Sequence, residues 1–154
     1  MHKIHIKPEH IETVKRRGGK EHSVESLDGP RTALVVVDMQ LYFMGEGQPS
    51  ECPIAREIVP NVNRLAEATR RNGGKVIWIQ THSGPDSLDF WSVYYERMTP
   101  GSSQARVDGM SPGGSGFDIW PDLEVRDDDV IVPKTRFSAF MPDPTFFDGI
   151  LKEN

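Results

Sequence analysis

The sequence predicts an α/β domain with three layers: a mostly parallel sheet with helices on both faces. Three observations carry this. Short runs rich in valine and isoleucine recur at 33–37, 75–80 and 129–133. A helical apolar stripe separates the first two. The runs are continuous rather than alternating, the pattern of strands buried on both faces.

Residues 1–30 read as an N-terminal arm. Ile4 and Ile6 alternate with basic residues. Pro8 opens a short helix holding Ile11 and Val14, and Gly18-Gly19 ends it. The arm is expected to pack on the body or on a neighbouring subunit. Gly29-Pro30 punctuates the entry to a single domain beginning at residue 31.

The stretch Thr32 to Gln40, TALVVVDMQ, holds the first strand, Ala33 to Val37, which delivers Asp38 at its far end. Ligands of open parallel sheets bind beyond the carboxyl ends of the strands. A long loop follows from Met39 to about Pro53. Ile58, Val62, Leu65, Ala66 and Thr69 then fall at helical spacing, with Pro60 near the first turn and Gly73 as the stop. KVIWIQ, Lys75 to Gln80, is the second strand. Strand, helix, strand is a right-handed βαβ unit, and it sets Thr81-His82 on the same edge as Asp38.

Leu88, Trp91, Tyr94, Tyr95 and Met98 suggest a helix or a lid. Pro100 to Gly116, ending in SPGGSG, reads as an irregular segment, functional or mobile. DVIVP, Asp129 to Pro133, is the third strand and delivers Lys134. Asp143 as N-cap and Pro144 at N1 start a last helix with Phe146, Phe147, Ile150 and Leu151 on one stripe. Only about three strands are visible, where sheets commonly hold five or six. The expectation is the front part of a larger domain, with its last strands missing.

Composition sets further bounds. The 154 residues fit one domain. A net charge of −5 without a basic stripe argues against nucleic acid. One cysteine, Cys52, excludes an internal disulfide and suits a reducing, cytoplasmic compartment. No run approaches 18 apolar residues, so no membrane span is expected. The start, MHKIHIKPEH, lacks the apolar core of a secretory signal.

Asp38, His82 and Lys134 therefore converge on one sheet edge. An acid beside a lysine can shuttle a proton for a nearby nucleophile. It can equally be a structural ion pair, and topology alone leaves both open.

TALVVVDMQLYF resembles the opening motif of the isochorismatase-like cysteine hydrolases. That family includes nicotinamidases, N-carbamoylsarcosine amidases, ureidoacrylate hydrolases and isochorismatases. GSGFDIWPDLEVRDDDVIVPKTRFSAF, Gly114 to Phe140, resembles the segment that carries its catalytic lysine. The helix beginning at Thr145 is similar to the one before its nucleophile strand. The resemblance covers Arg31 to Asn154. It implies hydrolysis of a small amide or ureide C–N bond by a cysteine, aspartate and lysine triad. Asp38 matches the aspartate that takes the thiol proton, and Lys134 the supporting lysine. The family's cysteine follows the next strand, roughly 10 to 20 residues further on by loop and strand lengths. Cys52 does not match it and reads as a packed or surface residue. The chain alone is therefore expected to lack the nucleophile and to be inactive.

Other residues carry smaller expectations. Gln40 and Phe43 belong to the opening motif, Gln40 to bond the Asp38 loop and Phe43 to line the pocket. His82, Trp91 and Arg136 are candidate substrate contacts, Arg136 through a substrate carboxylate. The resemblance to nicotinamidases implies a metal held by an Asp-x-His pair and another histidine; THSGPDSLDFW offers Asp86 and Asp89 but no such pair, so no metal is expected, and no other cofactor. SPGGSG lacks the Gly-Lys-Ser/Thr of a phosphate loop. The resemblance implies a homo-oligomer. Two other readings remain: a vinyl ether hydrolase of isochorismatase type using Asp38 as acid, and a non-catalytic interaction module.

Overall fold

The computed structural model of the protein describes residues 5–22, 24–141 and 143–153. Ile4 lies outside them. In order, the elements are α1 (Pro8–Gly18), β1 (Ala33–Val37), α2 (Leu41–Met44), α3 (Val59–Arg71), β2 (Lys75–Thr81), α4 (Ser87–Phe90), α5 (Ser92–Tyr95), α6 (Pro100–Gly109), β3 (Val130–Lys134) and α7 (Pro144–Lys152). Short 3-10 turns at Gly29–Arg31 and Pro53–Ile58 precede β1 and α3.

The three strands form one parallel sheet in the order β1-β2-β3. The central strand is closed in on both faces, so Val76, Ile77, Trp78 and Ile79 are all buried. Two cores result. Val36, Val76 and Trp78 pack on one face with Val59 and Ala66 of α3, Met44 and Leu123. Ile77, Ile79 and Val132 pack on the other with Phe147, Ile150 and Leu151 of α7. Each such fully buried aliphatic side chain contributes about 1.5–3 kcal/mol. The α/β expectation with helices on both faces holds.

The second face is covered unevenly. Val35 and Val37 stay 38% and 52% exposed although they share that face with Ile77 and Ile79. The two outer edges also differ. Asp38 N–H donates to the Ile79 carbonyl, so the even residues of β1 face β2. Ala33, Val35 and Val37 therefore turn their backbone donors and acceptors outward. On β3, Lys134 offers its carbonyl to His82 N–H, which turns Ile131 and Pro133 outward. Proline has no N–H to offer there.

Two segments depart from the sequence expectation. The supposed irregular stretch 100–116 begins with a ten-residue helix, α6. Thr99 caps it, accepting from Ser102 N–H, and Pro100 occupies its first turn. Its exposed and buried residues do not sort into an apolar stripe, which hid it from periodicity. The SPGGSG end is fixed rather than loose: Tyr42 N–H donates to Gly116 O and Leu41 N–H to Asp118 O. Gly116 lies so close to Tyr42 that a Cβ would stand 2.7 Å from its side chain. In the arm, α1 runs from Pro8 to Gly18 as expected, and none of its residues is buried.

Candidate active site

The chain leaves β1 through an unusual residue. Asp38 has φ +59°, the left-handed region, which an aspartate tolerates better than most side chains. Strict alternation would aim Asp38 with Val36 toward α3. The left-handed turn swings it to the opposite face. There its Oδ2 meets Lys134 Nζ at 2.9 Å and its Oδ1 accepts from Thr81 Oγ1 at 2.6 Å. Thr81 and Lys134 are register partners at the ends of β2 and β3. Lys134 is only 5% exposed, whereas the Asp38 side chain is 32% exposed. The pair is thus closed at the lysine and open at the acid.

Gln40 repairs what that turn breaks. Once β1 veers off, Thr81 would lose its neighbour in the ladder. The Gln40 carboxamide takes that place: Oε1 accepts from Thr81 N–H at 2.7 Å, and Nε2 donates to Thr81 O at 3.0 Å. Nε2 also donates to Phe117 O at 2.7 Å. Gln40 is completely buried. Its amide imitates a peptide unit and fixes the loop behind Asp38. Phe43 packs against the core around Trp78 and meets Tyr42 edge-on.

The remaining candidates gather to one side. Trp91 stacks on Tyr94 at 4.1 Å and meets Phe137 edge-on at 4.7 Å. Arg136 lies over Phe90 and Trp91 and donates to the Phe90 carbonyl. It thereby ties α4 and the start of α5 to the turn after β3. The His82 backbone bonds Lys134 O, and its ring stands edge-on to Phe117. Phe137 joins the groups: its carbonyl lies 3.5 Å from Lys134 Nζ. Its ring divides a cleft of about 250 Å³ beside Lys134, Val35 and Val37 from one of about 420 Å³ beside Trp91 and Tyr94.

Thr81 and Phe137 were not singled out from the sequence. For Thr81 a signal existed: it continues the Ile77, Ile79 face to the strand end, opposite Lys134. Cys52 is exposed in the loop before the turn at Pro53, with its N–H on Phe43 O, and does not line the Lys134 cleft. Among the described residues no three His, Cys, Asp or Glu side chains group as a metal site. No helix among them is long and apolar enough to cross a membrane.

A parallel α/β sheet with a buried lysine paired to an acid at its carboxyl edge defines the class. The chain belongs to the isochorismatase family, whose domain model matches residues 32–154. It is 36% identical over 110 residues to a probable inactive nicotinamidase of Arabidopsis thaliana, covering 71% of this chain and 54% of that protein. It is 24% identical over 135 residues to the ureidoacrylate amidohydrolase RutB of Klebsiella pneumoniae, covering 79% and 56%. Among solved structures, a cysteine hydrolase from Pseudomonas syringae superposes with a TM-score of 0.65 at 24% identity, over 82% of this chain and 56% of that one. The chain spans about half the length of these relatives.

Proposed function

We propose that Asp38 and Lys134 are the acid–lysine half of a hydrolytic site for a small amide or ureide C–N bond. The observation that carries this is the 2.9 Å pair at the end of two parallel strands, closed at Lys134 and open at Asp38. Thr81 holds Oδ1, which leaves Oδ2 shared between Lys134 and an incoming proton donor. In this reading Asp38 accepts the proton of a thiol. The thiolate attacks the carbonyl carbon, the amine leaves with a proton, and water releases the acyl group. Lys134 stabilises the negative charge that passes through the site. In this reading the thiol is not Cys52, the one cysteine of the 154 residues, which is exposed and does not line the Lys134 cleft. The amidohydrolase name of one relative supports the substrate class.

The test is ammonia release from a panel of small amides and ureides by the product of the complete gene. Asp38→Asn and Lys134→Ala are each expected to lose about 10³-fold or more in kcat/KM. Wild-type rates in both would remove the pair from the mechanism. Similarity to a probable inactive nicotinamidase of Arabidopsis thaliana favours a second reading, a site that binds without turnover. Saturable binding of a panel member with no product would establish it. Vinyl ether hydrolysis with Asp38 as acid is separated by product analysis on isochorismate.

A further inference from the structure

Arg106 lies on α6, one turn beyond Ser102. Its guanidinium carbon sits 5.4 Å from the ring centroids of both Tyr42 and Tyr94. Its Nε is out of reach of solvent and has no hydrogen-bond partner among the described residues. Arg56, Arg70 and Arg126 each meet a carboxylate. Among the described residues no salt bridge involves Arg106. That is notable in a chain with 23 acidic residues against 18 basic ones.

The same arginine lines a cleft of about 450 Å³ together with Tyr42, Tyr94, Met98, Ser50 and Ser102. The tyrosine rings attract the charge of the guanidinium without using its N–H donors. Those donors, set in a planar fork, are what grip an oxyanion at two points. Gly101 and Ser102, in the first turn of the ten-residue α6, line the same cleft, with Ser102 N–H already taken by the Thr99 hydroxyl. Arg97 lines the adjoining aromatic cleft and Arg136 lies over Trp91, so further positive charge stands nearby.

We propose that this cleft binds a small oxyanion ligand. A carboxylate or phosphate group lies on the two Nη groups of Arg106, the buried Nε being closed to the cleft, and an apolar body lies against Tyr94 and Met98. The cleft shares no lining residue with the one beside Lys134, so the proposal stands apart from the hydrolase reading.

The test is a titration of the 154-residue chain with sodium benzoate and, separately, with inorganic phosphate, against sodium chloride at matched ionic strength. The guanidinium ¹⁵N resonances are read by NMR. At least one oxyanion is expected to shift the Arg106 signals saturably, and the tighter of the two identifies the ligand source. Arg106→Met is expected to weaken binding tenfold or more, and Arg106→Lys, which keeps charge but not the fork, several-fold. Arg64→Met on α3 is expected to bind as wild type. An unsaturable response, one that chloride reproduces, or equal binding by Arg106→Met overturns the proposal. If Arg106→Met does not fold, the Arg106 resonances of the wild-type chain decide alone.

Discussion

At the scale of single residues, Asp38 and Gln40 work as a unit. A left-handed aspartate breaks the strand, and a buried glutamine two residues on supplies the missing peptide-like partner. Gln40→Ala leaves Thr81 N–H and C=O without that partner, whereas Phe117 O keeps its bond from Gln80 Nε2. Unpaired buried backbone groups cost about 1–3 kcal/mol. Gln40→Ala is therefore expected to lose about 2–3 kcal/mol in urea unfolding; a loss under about 0.5 kcal/mol would contradict the ladder-completing role. The sequence made Asp38 and Lys134 legible because apolar runs mark strands and parallel strands gather their ends. It did not show the work of Gln40, because its partners lie 41 and 77 residues away and no local pattern encodes them. Arg106 was hidden for the same reason.

Among the elements, α3, β2 and the loop entering β3 are joined by one carboxylate. Asp129 accepts from Arg70 Nε at 2.9 Å, from the indole N–H of the buried Trp78 at 2.8 Å and from Arg126 N–H at 2.9 Å. Burial pushes the Asp129 carboxyl up, but the bonds from Arg70, Trp78 and Arg126 outweigh it and hold it below its ordinary range. A carboxyl lowered in the folded state adds stability above its unfolded pKa, about 3.9. That stability is lost as pH falls through the folded value. Asp129→Asn is expected to cost about 2–4 kcal/mol at pH 7, and the variant should lose less than wild type between pH 5 and pH 2. Parallel pH profiles of urea midpoints would show that Asp129 is not the linked group. The elements with clear apolar stripes, α3 and α7, were legible from spacing. α6 was not, although Thr99-Pro100 is a cap followed by proline in the first turn, a signal independent of hydrophobicity.

On the scale of the whole molecule, the second face of the sheet is half clothed. α7 lies over β2 and β3, while Val35 and Val37 remain exposed and line one cleft with Phe140, itself 43% exposed. Exposed apolar surface beside a free strand edge favours association. Sedimentation of the 154-residue chain is expected to show concentration-dependent association that Val37→Lys reduces. A monomer at all concentrations would mean that this face is tolerated in water.

The outward-turned Pro133 gives the sheet a direction of growth. One margin carries a residue that cannot donate, and the other presents three alternate residues, Ala33, Val35 and Val37, with both donors and acceptors. Beyond β3 Ile131 offers both groups and Pro133 only its carbonyl, whereas a strand added beyond β1 meets a full row of donors. Any parallel strand added there finishes beside Asp38, so the open margin also decides where a new side chain would arrive.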